Sequence, residues 1–386
     1  MDDIYEEVIQ RNHIIISQPD FQFVVDPYLE NSCDNDFENN RNCVALYGKI
    51  YGDFSILQSF ITEMKIICGE SIVPYDNIQA ILHFTMFQFV GFDTQKVKRY
   101  LKEHVNSHLY LALQQLVPQS FGIQYKGVIV TPKAIILKGY PHQDVNAIRS
   151  IIRTTLIHDE PYTNYACHST IARFKKELTR SQIQKLLDLC REYENVNFGW
   201  FWVPEFQLGI GTWKLNNHEC VSLKIFSTIK LIAHRGNMEG PRINKENTMK
   251  YLADAMTQGF DVETDVWYIS HKWYLGHDHP DHETTLAFLK NPKIWCHAKS
   301  HATLVELIKY SDIHVFSHDV DDCVITSKGF LWSYPGKPIY KSICVMPERA
   351  PYSWYDICHC IGICSDFVGE IRQGNFQKII AHTSLP

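Results

Sequence analysis

The chain has no run of eighteen apolar residues, so no stretch of it is long and apolar enough for a transmembrane helix. Its first residues, MDDIYEEVIQ, lack the basic-then-apolar layout of a secretory leader, and a cytoplasmic location is expected. Basic residues are scarce at this end. Ten Asp and Glu stand against Arg11 alone in residues 1–40, a net of −9. The whole chain carries −6, so removing that flank leaves +3 on the other 346 positions. So mild a surplus argues against stable binding of duplex nucleic acid and suits a small anionic ligand held by a few local groups. Without a leader, the twelve cysteines read as reduced thiols rather than as a disulfide framework. The halves share no internal repeat, and no low-complexity linker follows the N-terminal flank.

What is present divides into three parts. Residues 1–45 form an acidic, Asn-rich lead-in (NSCDNDFENNRN), expected to be loosely packed. Across 46–225, apolar runs such as Phe54–Cys68 and Ile81–Val90 alternate with amphipathic helices. Asp93 caps one helix, GVIVTPKAIILKGY spells two strands around a Thr-Pro turn, and LTRSQIQKLLDLCREY is a further capped helix. This mixed order is an α+β pattern. It resets near 216–230. Residues 226–386 then alternate strand and helix (LIAHRG, ENTMKYLADAMTQG, FDVETDVWYI, KIWCHAK, SHATLVELIKYS, IHVFSHDV), the pattern of parallel strands with crossover helices.

In the first of these domains, His83-Phe84-Thr85 and His168-Ser169-Thr170 each lie in a strand-like run. Residues i and i+2 of a strand share a face, so each histidine projects beside its threonine. Two imidazoles can divide proton removal and proton donation across a phosphodiester, and two hydroxyls can donate to its non-bridging oxygens, with no metal needed. The tripeptide His-x-Thr also occurs at His282–Thr284 and His301–Thr303, where helices are expected to begin and the threonine to cap them. Around His168 the shared face reads Ala166, His168, Thr170, Ala172, small residues that leave room for a ligand. Around His83 it reads Ile81, His83, Thr85, Phe87. Two such strands, 85 positions apart, resemble the signature of the two-histidine phosphoesterase superfamily over about residues 46–215. The resemblance implies a bilobal α+β sheet with a cleft between the lobes. It also implies substrates such as 2′,3′-cyclic phosphates, 2′–5′ linked oligoadenylates, ADP-ribose cyclic phosphate or RNA 3′ ends.

The second domain carries five fragments in order: His234-Arg235-Gly236, Glu246-Asn247-Thr248, Glu263-Thr264-Asp265, Gly276-His277-Asp278 and His297-Ala298-Lys299. Glu263 and Asp265 share a strand face and offer the oxygen pair that Mg²⁺ or Ca²⁺ prefers. His234 and His277 stand at strand ends and can share base and acid roles, while Arg235 and Lys299 supply fixed positive charge. The block resembles the glycerophosphodiester phosphodiesterase family and its phospholipase D-like relatives. That resemblance implies a barrel of parallel strands, His234 and His277 as the acid/base pair, and Glu263 and Asp265 as metal ligands, with Asn247 among the substrate-binding residues. The family's third ligand is a carboxylate two positions before the lysine, where this chain has His297. An imidazole there turns the preference toward Mn²⁺ or Zn²⁺. A full eight-unit barrel needs about 200 residues or more, so the roughly 160 positions here imply a trimmed, TIM-like barrel of about six strand units. CVITSKGFLWSYPGKP replaces one crossover helix with a hairpin.

Other candidates are weaker. Cys358-His359-Cys360 with Cys364 has CxC spacing and reads as a helix entering a buried strand rather than as a zinc site. His318-Asp319, Asp321-Asp322 and Asp366 are placed at the rim of the second site. Trp267, Trp273, Trp332 and Tyr334 read as packing residues near it. The sequence thus points to a bifunctional phosphodiesterase acting on a small phosphodiester or short oligonucleotide, metal-independent in the first domain and using a divalent cation in the second. The runner-up is a nucleotide- or headgroup-binding protein with one degenerate site, and a lipid-directed phospholipase is the third reading.

Overall fold

The structure, a computed structural model, describes residues 2–25, 42–72, 82–159, 166–212, 221–377 and 379–380. Residues 26–41 of the lead-in, which hold most of its Asn-rich stretch, and Ile81 lie outside them. The chain divides into two compact units, Met1–Thr228 and Ile229–Pro386. Among the described residues no helix is long and apolar enough to cross a membrane. The architecture is mixed α and β, with curled sheets in a two-unit chain.

The first unit contains β1 (Asn42–Lys49), β2 (Tyr51–Gly52), β3 (His83–Val90), β4 (Gly122–Val130), β5 (Ala134–Pro141), β6 (His168–Arg173), β7 (Asn197–Trp202), β8 (Glu205–Thr212) and β9 (Val221–Ser227). They make two antiparallel sheets, ordered β3-β1-β8-β9 and β2-β7-β4-β5-β6. Each His-x-Thr segment therefore sits on an edge strand, one per sheet. Helices Ser55–Cys68 and Arg180–Glu192 bury Leu57, Phe60, Ile61, Met64 and Ile183, Leu186, Leu189 respectively, the i, i+3, i+4 spacing of one helix face. Asp93 accepts from the amides of Gln95 and Lys96, and Thr179 closes a capping box with Gln182, so both helix starts are set by local chemistry.

Two expectations about this unit are corrected. The N-terminal flank opens with a helix, Asp2–Ile16, whose Tyr5 is 2% exposed and bonds the carbonyls of Gly139 and Cys167. Tyr5 shares an apolar cluster with Ala166 and Ile136, so the small residue at 166 is covered rather than open. Second, each His-x-Thr strand carries a register shift just after its threonine. Thr85 and Phe87 face the adjacent residues Tyr47 and Leu46, and Thr170 and Ala172 face Ile136 and Ile135. An extra residue in one strand reverses the alternation. Phe87 and Ala172 therefore turn into the main core, away from the His–Thr faces.

The second unit contains β10 (Lys230–His234), β11 (Asp261–Ile269), β12 (Lys272–Leu275), β13 (His282–Thr284), β14 (Ile294–Ala298), β15 (His314–Phe316), β16 (Cys323–Ile325), β17 (Leu331–Ser333), β18 (Ser342–Val345) and β19 (Gly362–Ser365), all in one ten-stranded sheet. Parallel pairing runs along β15-β14-β11-β10-β19-β18-β17, a longer series than the six units expected. β16 and β17 form an antiparallel hairpin. The sheet curls until β15 meets the residues after β16: Ser327 N–H donates to the Val315 carbonyl at 2.8 Å, and Val315 N–H to Ser327 Oγ at 2.9 Å. One face packs Val262, Cys296 and Val315 against Leu252, Ala255 and Leu307 of helices Met249–Thr257 and His301–Leu307. The other is filled by Ile232, Trp295, Phe316, Trp332 and Cys364. Two further expectations fail here. Thr284 ends a strand and Thr285 is the cap, while Ser300 caps the helix that contains Thr303.

Candidate functional site

Register explains why the second unit's motif residues converge. His234 pairs with Glu263, Glu263 with Trp295, and Asp265 with His297 across parallel neighbours, so all project to the Trp-filled face. Glu263 and Asp265 are 2% and 1% exposed. Arg235 Nε lies 3.1 Å from Asp265 Oδ2, Lys299 Nζ 3.3 Å and His297 Nδ1 3.0 Å from Asp265 Oδ1. Asn247, in the left-handed region at φ 58°, donates from Nδ2 to Asp265 Oδ2 at 3.1 Å and accepts from the Asp265 amide and the Thr264 hydroxyl. Arg235 is left-handed as well, at φ 52°. Its amide donates to Glu263 Oε2, and its Nη1 lies 3.2 Å from Glu246. Two buried carboxylates this close move apart in acidity. Burial and the neighbouring Asp265 charge push Glu263 up, against His234, His297 and Arg235. Burial also opposes ionisation of Asp265, but His297, Arg235 and Lys299 outweigh it and hold that carboxyl well below the usual range.

His234 is positioned by a residue from the far end of the chain. Its Nδ1 lies 2.8 Å from Asp366 Oδ1, and its Nε2 is 3.9 Å from Glu263 Oε2. Burial works against the imidazolium, yet the Asp366 hydrogen bond and the Glu263 charge win and raise the His234 pKa. Burial likewise works against Asp366, but His234 and Asn237 hold its pKa below the usual carboxylate value. An ionised Asp366 accepts a hydrogen bond from Nδ1–H and leaves Nε2 directed into the site. Asn237, fully buried, donates to both Asp366 (2.8 Å) and Glu246 (2.9 Å), and Glu348 accepts from the Asp366 amide and the Ser365 hydroxyl. Asp366 is 5% exposed and belongs to the interior of the site, not its rim. Asn237 and Glu348 were missed by sequence reasoning, and neither lies in a motif that singles it out.

The remaining candidates divide. His277 is exposed and bonds Asp278 at 2.7 Å, on a turn tied to the site by the Gly276 amide donating to the Asp265 carbonyl. It does not join the buried group. His318 stacks on His297 at 4.4 Å and meets the Tyr334 ring edge-on at 4.6 Å. Trp267 donates to the Gly276 carbonyl, Trp273 packs on Tyr268, and Trp332 is core. Cys358, Cys360 and Cys364 are buried, and no described cysteine is in a disulfide. Among the described residues, Glu263, Asp265 and His297 are the group able to hold a metal, with one donor atom each within 4.8 Å of the others. Two carboxylates and an imidazole suit Mn²⁺ or Zn²⁺. An ion there has to compete with Arg235 and Lys299 for Asp265.

In the first unit, the two His-x-Thr edge strands are tied together. Ser169 Oγ donates to the His83 carbonyl at 2.7 Å, and Arg149, 1% exposed, donates to the carbonyls of Met86 (2.8 Å) and Thr85 (3.1 Å) and reaches Cys167 Sγ (3.7 Å). His83, Thr85, His168 and Thr170 are half-buried on these strands. His168 Nδ1 lies 3.0 Å from the Ala166 carbonyl; Nδ1–H donates to it, which leaves Nε2 as the lone-pair nitrogen. Burial pushes the His168 pKa down, helped by Arg149, Arg173 and His83, so the ring is neutral near pH 7. Ser169 and Arg149 act through the backbone of β3, an interaction with no sequence signal.

No protein-family model matches the chain, and comparison with curated proteins finds no match. Among solved structures the chain is similar to the protein TT0787 of Thermus thermophilus, at 16% identity and a TM-score of 0.29, covering 48% of this chain and 97% of that one. It is also similar to a conserved protein of unknown function, ATU0111 of Agrobacterium tumefaciens, at 12% identity and a TM-score of 0.30, covering 49% and 87%.

Proposed function

We propose that the chain is a phosphoric diester hydrolase with two sites, one in each unit. The observation that carries this reading is the buried Asp366–His234 pair, which aims Nε2 at a carboxylate pair flanked by Arg235 and Lys299. In the second site His234 exchanges the proton with the attacking or leaving oxygen, with Asp366 keeping the ring in one tautomer. Arg235 and Lys299 neutralise the phosphoryl oxygens, and Asn247 fixes Asp265. A divalent cation on Glu263, Asp265 and His297 supplies further charge for the phosphate when bound. His277 supplies the second proton from the exposed turn. In the first site His83 and His168 act as the acid/base pair, with Thr85 and Thr170 donating to phosphate oxygens. The half-buried pairs on tied edge strands support this, and no metal takes part there. The folds belonging to this reading are a two-histidine phosphoesterase-like domain and a short TIM-like barrel. The substrates are a cyclic or 2′–5′ linked nucleotide at the first site and a small phosphodiester at the second, in the cytoplasm.

One observation favours a second reading, a binding protein with a degenerate C-terminal site: Asp265 already has Arg235, Lys299 and His297 around it. Hydrolysis of bis-p-nitrophenyl phosphate and a cyclic-nucleotide panel, with and without EDTA, decides between them. We expect EDTA-resistant turnover that His168→Ala removes and EDTA-sensitive turnover that His234→Ala removes. Wild type no more active than the His83→Ala/His234→Ala double variant, on every substrate and metal, sinks the enzyme reading.

A further inference from the structure

The first unit has a cavity away from both histidine pairs. It measures about 520 Å³ and lies between helix Asp2–Ile16, helix Arg180–Glu192 and strand β4. That is the size of a small-molecule site, within the usual range of about 300–1,000 Å³. Its lining is mixed: Ile9, Ile16, Ile129 and Leu187 are apolar, whereas His13, Arg191 and Glu194 are polar or charged. Asn12 lies in this lining. It is 5% exposed, and its Nδ2 is buried without a hydrogen-bond partner. A buried amide donor left unpaired is destabilising, and an acceptor arriving from the cavity would satisfy it. Among the charged lining residues, Arg180 and Arg191 outnumber the one carboxylate, Glu194. Arg180 lines the cavity and bonds a neutral acceptor, the Phe21 carbonyl at 2.8 Å, and no carboxylate pairs with it among the described residues.

We propose that this cavity is a binding site for a small amphipathic anion, with an apolar tail along the Ile and Leu wall and a carboxylate-like head accepting from Asn12 and facing Arg180. The site stands apart from the phosphodiesterase reading, and its test needs no turnover. Octanoate and octylammonium are titrated into the full chain by calorimetry, with thermal unfolding followed in parallel. We expect octanoate to bind one per chain and raise Tm, and octylammonium not to bind. Asn12→Leu should weaken octanoate at least tenfold while leaving the unliganded Tm unchanged or higher, because the unpaired donor is gone. Arg180→Gln, at an exposed position, should weaken it about fivefold and serves if the first variant folds poorly. No octanoate binding to wild type, equal binding of octylammonium, or full affinity retained in either variant overturns the proposal.

Discussion

His234 depends on a carboxylate 132 positions away, and that dependence sets how the site responds to pH. The His234 pKa is raised from 6.5, so its share of stability is present below that value and lost as pH rises through the folded-state pKa. The Asp366 pKa is lowered from 3.8, so its share is present above that value and lost as pH falls through the folded-state pKa. The pair is therefore strongest between the two ordinary values. Asp366→Asn should flatten the stability profile at both ends, checked by urea unfolding from pH 3 to 9. It should also lower EDTA-sensitive turnover about 10–100-fold, the usual cost of losing a partner that orients a site residue. His314 behaves oppositely. Burial, with Lys328 and Lys230 nearby, pushes its pKa down to about 4 while it bonds Thr326 and packs, tilted, against Trp295 at 3.8 Å. A lowered histidine favours the unfolded chain as it protonates, so stability should fall from pH 6.5 toward 4, by about 3 kcal/mol for this one group. His314→Gln should reduce that loss in urea unfolding at pH 4.5 against pH 7.

At the scale of elements, turns place chemistry as much as strands do. Gly276 has φ 146°, and a Cβ there would sit 2.0 Å from the His279 carbonyl oxygen. The turn that presents His277 therefore has to open for any side chain at 276. Gly276→Ala should cost about 1–3 kcal/mol of stability, read as a fall in Tm, and should depress EDTA-sensitive turnover while sparing EDTA-resistant turnover. Helix starts were legible because their chemistry is local: Asp93 and Thr179 cap within three residues. The bulges after Thr85 and Thr170 were not. A strict period of two carries Phe87 and Ala172 onto the site face, and only pairing with β1 and β5 shows the slip. The caps assigned to Thr284 and Thr303 failed for a related reason, since Thr285 and Ser300 stand close enough to compete for each role.

At the scale of the molecule, each unit has its own apolar core. Phe60, Phe84 and Phe121 belong to the core of the first, and Val262 and Cys296, with Trp295 and Trp332 on the opposite face, to those of the second. Residues 229–386 expressed alone should give one cooperative calorimetric transition and keep any EDTA-sensitive turnover. A featureless melt would show that the second unit needs the first to fold.

Five short motifs in the second unit and two in the first were readable because each chemistry lies within three residues, where strand and helix period alone orient side chains. So were the strand–helix alternation, the hairpin at residues 323–333 and the reset of pattern near the unit boundary. What brought His234 and Asn237 to Asp366 was the pairing of β10 with β19, and what brought Arg149 to the carbonyl of Met86 was the packing of helix Val145–Thr155 against β3. Parallel neighbours and sheet edges are set by burial summed over whole faces, which no local pattern encodes. The candidate residues could thus be named from the sequence, whereas their partners, their acidity and the exposed place of His277 were decided by the tertiary structure.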